Sequence, residues 1–330
     1  MTKNTILKIT NKNFIFENKR IDFFLKTNFP NYSRSYLQKL SKNNLILVND
    51  KTVNPSYKLK KNDVIKIQNL EALKITKKII PENIPIDIIF EDENIIVINK
   101  PSMMVVHPAC GNFSKTLVNA LLYHFNNLPL SQNSDKMAWA RPGLVHRLDK
   151  ETSGIMIIAK DEKSLYNLSK QFENRKIKKT YLAICYSKTD LEAGKINIAI
   201  NRSNINRKKM ALTSEANKTA KQAITYFKVL EKLKNNLVLI EAKPETGRTH
   251  QIRVHLQYVG YPILGDSLYG VTIKNFKLNF PLLEVRTLLH AYEIEFFHPV
   301  TNEKIKLQAK IPKDFKKILD SFRLGCVDTI

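Results

Sequence analysis

The chain has 330 residues, enough for one small and one larger domain, each with a hydrophobic core. Hydrophobic residues make up 43% and charged residues 25%, and no apolar run approaches the roughly 18 residues of a membrane span, so a globular protein without secretory leader is expected. The net charge of +24 predicts a polyanionic partner.

The charge is concentrated at the start of the chain. Residues 1–80 hold 17 Lys+Arg and five Asp+Glu, which gives half of the net charge in about a quarter of the length. A compositional bias of the source would spread lysine evenly, so this concentration favours a nucleic-acid-binding segment. Cys110, Cys185 and Cys326 are widely spaced, which argues against a disulfide framework or a structural zinc site and predicts a cytoplasmic location.

Residues 18–72 are predicted to form a small domain of two helices and a strand hairpin. One helix follows Lys19-Arg20, and a second has Ser35 and Gln38 as a capping box. Strands 45–48 and 64–67 follow, with turns at positions where Asn44 and Asp50 tolerate positive φ.

This pattern resembles the RNA-binding domain first seen in ribosomal small-subunit protein four. The resemblance implies that Arg20, Arg34 and Lys39 contact RNA, although a solvated helix face explains the same charges equally well.

Residues 73–82 are predicted to be a linker, residues 83–314 a second domain and residues 315–330 a C-terminal tail. Strand patterns dominate the second domain, with helices around 117–124 and, after an Asp161 cap, around 165–172. The predicted fold class is α+β, with a mixed, mostly antiparallel β-sheet. The predicted strands are 86–90, 95–98, 155–159, 181–186, 223–230, 237–242 and 291–297.

Six of the nine glycines flank three polar stretches, and we expect them where a side chain is not tolerated. The first stretch places His146, Arg147 and Asp149 in a loop before a strand, where reacting groups are often found. The spacing alone favours a structural interpretation, in which Asp149 caps a turn and His146 packs in the core.

The second stretch, residues 246–255, reads as a helix start with Thr249 as cap and Arg253 in the first turn. Arg248, His250 and Arg253 near a helix N-terminus predict an anion site, filled by a phosphate or by a carboxylate of the protein. The third stretch, residues 265–270, reads as a turn.

Together these stretches resemble the RluA-type pseudouridine synthases, most closely the RluD-like branch that modifies large-subunit ribosomal RNA, over residues 85–312. Met103-Met104 departs from the small residue and glycine that the family carries after Lys100-Pro101. The motifs that carry the resemblance are 97–101, 105–108, 116–121, 146–149 with 152–154, 179–183, 247–253, 289–291 and 298–299.

The resemblance implies that Asp149 is the catalytic aspartate acting on a flipped-out uridine, that Tyr181 stacks on the target base and assists proton removal, and that Arg253 pairs with Asp149 and keeps it ionised. Arg147 would fill the space of the extruded nucleotide. His146, Arg248 and His250 would also contact the substrate. No cofactor or metal is implied.

The expected partner is large-subunit ribosomal RNA, free or in an assembling subunit, bound by a monomer that interacts with neither membrane nor DNA. Two alternatives remain. A non-catalytic ribosome-assembly factor would have lost one of the catalytic residues, and none is lost. A glycoside or nucleoside hydrolase needs a second carboxylate, for which Asp266 is the only candidate in a nearby motif.

Overall fold

The computed structural model describes residues 5–8, 16–30, 32, 34–68, 79–108, 112–125, 128–129, 142–214, 217, 219–270 and 286–323. The described residues form two compact units, a small unit before position 79 and a large unit from Ile79 onward. The predicted linker lies outside the described residues up to position 78, and its last four residues belong to the large unit.

The small unit packs two helices against a four-stranded antiparallel sheet of order β1-β4-β2-β3. Ile21, Phe24 and Leu25 are fully buried, as their helical spacing predicts. The two helices and the hairpin are confirmed, whereas β1 was not predicted. The elements are β1 (Thr5–Lys8), α1 (Ile21–Asn28), α2 (Arg34–Lys42), β2 (Ile46–Val48), β3 (Lys51–Thr52) and β4 (Val64–Ile67).

Two local predictions for this unit have different outcomes. The positive φ values expected at Asn44 and Asp50 are confirmed, at 59° each. The capping box is wrong, because α2 already includes Arg34 and therefore contains Ser35. Gln38 instead donates from Nε2 to the buried carboxylate of Asp22 at 2.6 Å.

The large unit is built on a nine-stranded mixed sheet of order β5-β6-β7-β14-β8-β13-β12-β9, with β15 also paired to β14. Only the β7–β14 pair is parallel among the described strands of this sheet. The α+β class with a mostly antiparallel sheet is thus confirmed. The strands are β5 (Ile88–Glu91), β6 (Ile95–Lys100), β7 (Ser153–Ala159), β8 (Lys178–Tyr186), β9 (Ala193–Asn197), β12 (Ile224–Lys232), β13 (Leu237–Pro244), β14 (Leu289–Phe297) and β15 (Lys304–Gln308).

Besides this sheet, the described part of the large unit contains a separate hairpin and four helices. The Asp161 cap is confirmed, since its Oδ1 accepts the Ser164 N–H at 2.8 Å. None of the described helices has the length and apolarity needed to cross a membrane. The elements are β10 (Ile200–Arg202), β11 (Met210–Leu212), α3 (Leu117–His124), α4 (Glu162–Glu173), α5 (Gln251–Tyr258) and α6 (Lys313–Phe322).

The C-terminal tail predicted from position 315 begins inside helix α6. Apolar residues at i, i+3, i+4 and i+7 form one buried face of this helix, which joins a core cluster with Leu182 and Ile184 of β8. The tail prediction is therefore corrected as far as the described residues extend, to Arg323. The buried residues of the helix are Phe315, Ile318, Leu319 and Phe322.

Candidate functional site

A cavity of about 670 Å³ in the large unit is lined mainly by three segments of chain. They are the loop before β7, the end of α4 with the start of β8, and residues 244–253; Val106, His107 and Leu289 complete the lining. The seven candidate residues predicted in this unit all line it. They are Asp149, Tyr181, Arg253, Arg147, His146, Arg248 and His250.

The loop that carries Asp149 is fixed where it enters β7. Gly154 has a φ of 116°, and a Cβ atom there would lie 2.2 Å from the carbonyl oxygen of Ala291 in β14. Only glycine allows this close approach between the two parallel strands. The expectation that this glycine sits where no side chain fits is confirmed.

A buried lysine is hydrogen-bonded to the backbone of the same loop. Lys100 is fully buried, and its Nζ donates to the carbonyl oxygens of Pro101 at 2.7 Å, Met104 at 3.0 Å and Lys150 at 3.4 Å. Burial lowers the pKa of Lys100 to about 7. Between Pro101 and Met104, Met103 has a φ of 65°, a conformation that glycine adopts more easily than methionine.

Arg286 contacts the next residues of the loop. It donates from Nη1 to the carbonyl oxygen of Glu151 at 3.1 Å and from Nη2 to Ser153 Oγ at 3.1 Å. Asp314 of α6 accepts from Arg286 Nε at 2.8 Å. Sequence reasoning missed Lys100 because it bonds to backbone oxygens, which leave no pattern of side chains. It missed Arg286 because Glu151 and Ser153 lie more than 130 positions earlier in the chain.

Arg253, in the first turn of α5, is held between two carboxylates. It donates to Asp149 Oδ2 from Nη1 at 3.1 Å, and to Asp266 from Nε at 2.6 Å and from Nη2 at 2.8 Å. Burial alone would lower the pKa of Arg253, but the two carboxylates raise it above its usual value. The three groups together leave one net negative charge beside the cavity.

Asp266 has a second contact, with Arg253, besides the turn role that the sequence indicated. Its Oδ1 accepts the N–H groups of Leu268 at 2.9 Å and Tyr269 at 3.0 Å, as a turn residue would. Burial alone would raise the pKa of Asp266, but the hydrogen bonds and charge of Arg253 hold it below its usual value. The pairing with Arg253 was not predicted.

Helix α5 does not begin as predicted. Its N-cap is His250, with a φ of 56°, and not Thr249. Gln251 Oε1 accepts the N–H of Arg248 at 3.0 Å and the hydroxyl of Thr246 at 2.8 Å. The glutamine side chain thus closes the turn that a capping threonine would close.

His250 is oriented by Tyr269. The Tyr269 hydroxyl accepts the N–H of Met210 at 2.6 Å and is hydrogen-bonded to His250 Nδ1 at 2.9 Å. The other ring nitrogen of His250, Nε2, lies 3.8 Å from Asp149 Oδ2. Burial lowers the pKa of His250, and the Asp149 charge opposes this effect.

Tyr181 is held in the middle of the sheet, in register with Ala242 of β13 and Ala291 of β14. Burial, and then the charge of Asp149, raise the pKa of Tyr181 above its usual value, so the hydroxyl is protonated at neutral pH. Lys179, two residues earlier and on the same face of β8, also lines the cavity. Burial lowers the pKa of Lys179 to about 8.

His146 has a structural contact as well as a place at the cavity. Its Nε2 accepts the N–H of Ile157 at 2.9 Å, and its ring stacks on Phe172 with centroids 4.8 Å apart. Burial, reinforced by the charge of Lys179, lowers the pKa of His146 to about 3. These contacts favour the structural interpretation of His146, and its contact with substrate stays a prediction.

The candidates in the small unit lie around Asp22. Arg20 and Arg34 each donate from Nη2 to this carboxylate at 2.9 Å, and both side chains remain half exposed. Burial alone would raise the pKa of Asp22, but the hydrogen bonds from Arg20, Arg34 and Gln38 bring it to about 2. Lys39 is exposed on α2.

No group of three or more His, Cys, Asp or Glu side chains that could hold a metal ion occurs within the described part of the chain.

Comparison with known proteins gives a consistent result. Residues 94–258 match the RNA pseudouridylate synthase family, and residues 19–65 match the S4 domain. An uncharacterized RNA pseudouridine synthase of Aquifex aeolicus is 40% identical over 92% of this chain and 93% of its own length. The ribosomal large subunit pseudouridine synthase D of Zymomonas mobilis is 41% identical over 74% of this chain and 76% of its own length.

A solved structure is also similar. Human RNA pseudouridylate synthase domain containing 4 aligns with a TM-score of 0.54 and 26% identity, over 72% of this chain and 94% of that one.

Proposed function

The chain belongs to the RNA pseudouridylate synthase family, and on that premise we propose that it converts uridine to pseudouridine in large-subunit ribosomal RNA, with Asp149 as the catalytic residue. The observation that carries the proposal is the position of Asp149: it lines the cavity, is held by Arg253 at 3.1 Å and shares the cavity with Tyr181. We place the activity in the cytoplasm.

The reaction breaks the bond between ribose C1′ and uracil N1 and joins C1′ to C5 of the turned base. The proton at C5 is lost and N1 gains one, so the product is an isomer of the substrate. Asp149 is suited to stabilise or trap the electron-poor C1′, as carboxylates do in glycosidases. The single net negative charge of Arg253, Asp149 and Asp266 favours a developing positive charge on the sugar.

Arg253 and Tyr181 have separate roles in this mechanism. Arg253 orients Asp149, because its other two donors are fixed on Asp266. The Tyr181 ring stacks on the uracil and holds it while it turns. Because its hydroxyl is protonated, Tyr181 can donate a hydrogen bond. It transfers a proton only in a relay, in which it receives another proton as it gives up its own.

The uridine must leave its stack to enter the cavity. Arg147 is exposed next to Asp149 and is suited to occupy the vacated space. The small unit supplies further phosphate contacts through Arg20, Arg34 and Lys39, because cations on a helix face bind RNA without reading its sequence. The proposal of large-subunit RNA as substrate rests on the relatives that carry that name.

Asp266 is not placed to act on a substrate in the cavity. Its side chain is fully buried, is hydrogen-bonded to Arg253, Leu268 and Tyr269, and does not line the cavity. It therefore cannot serve as the second carboxylate that hydrolysis needs.

The test is site-resolved pseudouridine mapping of large-subunit RNA, naked and in assembling subunits, after incubation with the purified protein. Asp149→Asn, which keeps the shape and removes the charge, is the control. New pseudouridines with the unaltered protein alone are expected, and they name the target stem. No new pseudouridine with either protein on either substrate would favour a non-catalytic assembly factor.

A further inference from the structure

The described arginines fall into two groups. Five have a carboxylate oxygen within 4.0 Å: Arg20, Arg34, Arg253, Arg286 and Arg323. For the other five the described residues provide no carboxylate at that distance. They are Arg147, Arg175, Arg202, Arg207 and Arg248.

Three of the five arginines in the second group line the cavity: Arg147, Arg175 and Arg248. The carboxylates of Glu173 and Glu245 line it as well, but no ion pair joins either of them to these arginines among the described residues. The cavity therefore presents three guanidinium groups that no described carboxylate pairs with.

Arg175 and Arg248 are also hydrogen-bonded to the same residue. Arg175 Nη2 donates to the side-chain oxygen of Gln222 at 3.1 Å, and Arg248 Nε donates to the backbone oxygen of the same residue at 3.0 Å. Gln222 is neutral and compensates the charge of neither guanidinium group, whereas a bound anion would do so. Guanidinium groups bind phosphate well, because their N–H groups match its oxygens.

Gly247 leaves space beside Arg248. A Cβ atom at this position would meet no described atom within 4 Å, and its φ lies outside the left-handed region. Neither packing nor backbone conformation therefore requires a glycine here. A glycine in the wall of a cavity lets a ligand approach the backbone closely.

We infer that Arg175 and Arg248, spaced by Gln222, form a subsite for a backbone phosphate of the RNA strand next to the target uridine. The inference rests on the proposed function for the identity of the ligand. The subsite fixes the strand at the cavity mouth and reads no base, as phosphate contacts generally do.

The test is binding of the full-length protein to a fluorescein-labelled RNA hairpin with an all-uridine loop, measured by anisotropy at several KCl concentrations. The net charge of +24 ensures measurable binding at low salt. Arg175→Gln and Arg248→Gln should each weaken binding several-fold and reduce the slope of log K against log salt by about one unit. Lys163→Gln, which removes one charge from an exposed position of α4 outside the cavity, is the matched control.

Gln222→Glu separates a phosphate subsite from a structural contact. The new carboxylate would pair with Arg175, so RNA binding should fall at least as much as in Arg175→Gln while the melting temperature stays equal or rises. Gly247→Ala should weaken RNA binding without lowering the melting temperature.

Equal affinity and salt slope in the unaltered protein and the variants at Arg175, Arg248 and Gln222 would overturn the subsite. Pseudouridine formation in the same hairpin and in large-subunit RNA is measured in parallel with the unaltered protein. Its absence would count against the proposed function, whereas the binding curves would still decide on the subsite.

Discussion

Arg253 donates two hydrogen bonds to the carboxylate of Asp266, from Nε at 2.6 Å and from Nη2 at 2.8 Å. Because both carboxylate oxygens of Asp266 are engaged, the plane of the guanidinium group is fixed. Nη1 is then directed at Asp149, 3.1 Å away. The orientation of the proposed catalytic carboxylate thus depends on a second carboxylate that lies outside the cavity.

We expect Asp266→Asn to lower both stability and activity. It leaves the buried Arg253 with one carboxylate instead of two, and removing one partner of a buried ion pair costs about 3–5 kcal/mol. Urea unfolding and single-turnover pseudouridine formation are the measurements. Asp314→Asn is the control, because Asp314 pairs with Arg286 in a similar geometry but is half exposed. Equal losses of stability in both variants would contradict the prediction.

We expect Tyr181→Ala to weaken binding of target RNA by about 1–3 kcal/mol, the usual contribution of an aromatic ring stacked on a base. Tyr181→Phe keeps the ring and should bind RNA nearly as the unaltered protein does. Anisotropy titrations compare the variants, and melting temperatures show whether each is folded. Equal weakening in the Ala and Phe variants would exclude stacking as the main role.

The same tyrosine makes a prediction about pH. Because the raised pKa keeps its hydroxyl protonated, Tyr181 should not become a phenolate between pH 7 and pH 9.5. The ratio of the single-turnover rates of the unaltered protein and Tyr181→Phe should therefore stay constant over this range. A ratio that rises with pH would indicate that the phenolate takes part.

We expect His146 to contribute to destabilisation in acid. Its pKa is 6.5 in the unfolded chain and about 3 in the folded protein, so the folded state binds its proton more weakly. The stability that this difference provides is fully present above pH 6.5 and is lost as the pH falls toward 3.

His146→Gln tests this, because glutamine can still accept the Ile157 N–H but does not titrate. The melting temperature of the unaltered protein should fall more between pH 7 and pH 4.5 than that of the variant. An equal fall in the melting temperatures of both proteins would show that protonation of the His146 ring does not destabilise the folded protein.

We expect Asp22→Asn to loosen the helices of the small unit. The buried carboxylate accepts charged hydrogen bonds from Arg20 and Arg34, and such bonds contribute about 1.5–3 kcal/mol. Hydrogen exchange of α1 and α2 should become faster. Asp50→Asn, at an exposed residue 3.5 Å from Lys66, should leave exchange unchanged, and equal acceleration in both variants would refute the prediction.

Sequence and structure agree best where the determinant is local. The turns at Asn44 and Asp50 could be predicted because asparagine and aspartate tolerate positive φ. The Asp149–Arg253 contact spans 104 positions and was expected only through the family resemblance. Residues of the first two polar stretches line one cavity together with Tyr181, whereas the chemical roles of these residues remain proposals.

The missed features depend on distant partners. Asp266 already had a local explanation as a turn residue, so nothing in its neighbourhood indicated the pairing with Arg253. Arg286 follows Ser153, one of its acceptors, by 133 positions. Helix α6 is different, because the spacing of Phe315, Ile318, Leu319 and Phe322 was readable and was overlooked.

The position of β14 determines when the large unit can be completed during synthesis. This strand, residues 289–297, lies between β7 and β8 in the sheet, although it is translated more than 100 residues after either. Until β14 leaves the ribosome, the edge of β8 that pairs with it has no partner. Helix α6 is translated later still. If synthesis ends before residue 289, the chain therefore lacks part of the cavity wall. The unpaired edges of β7 and β8 are then exposed and prone to aggregation.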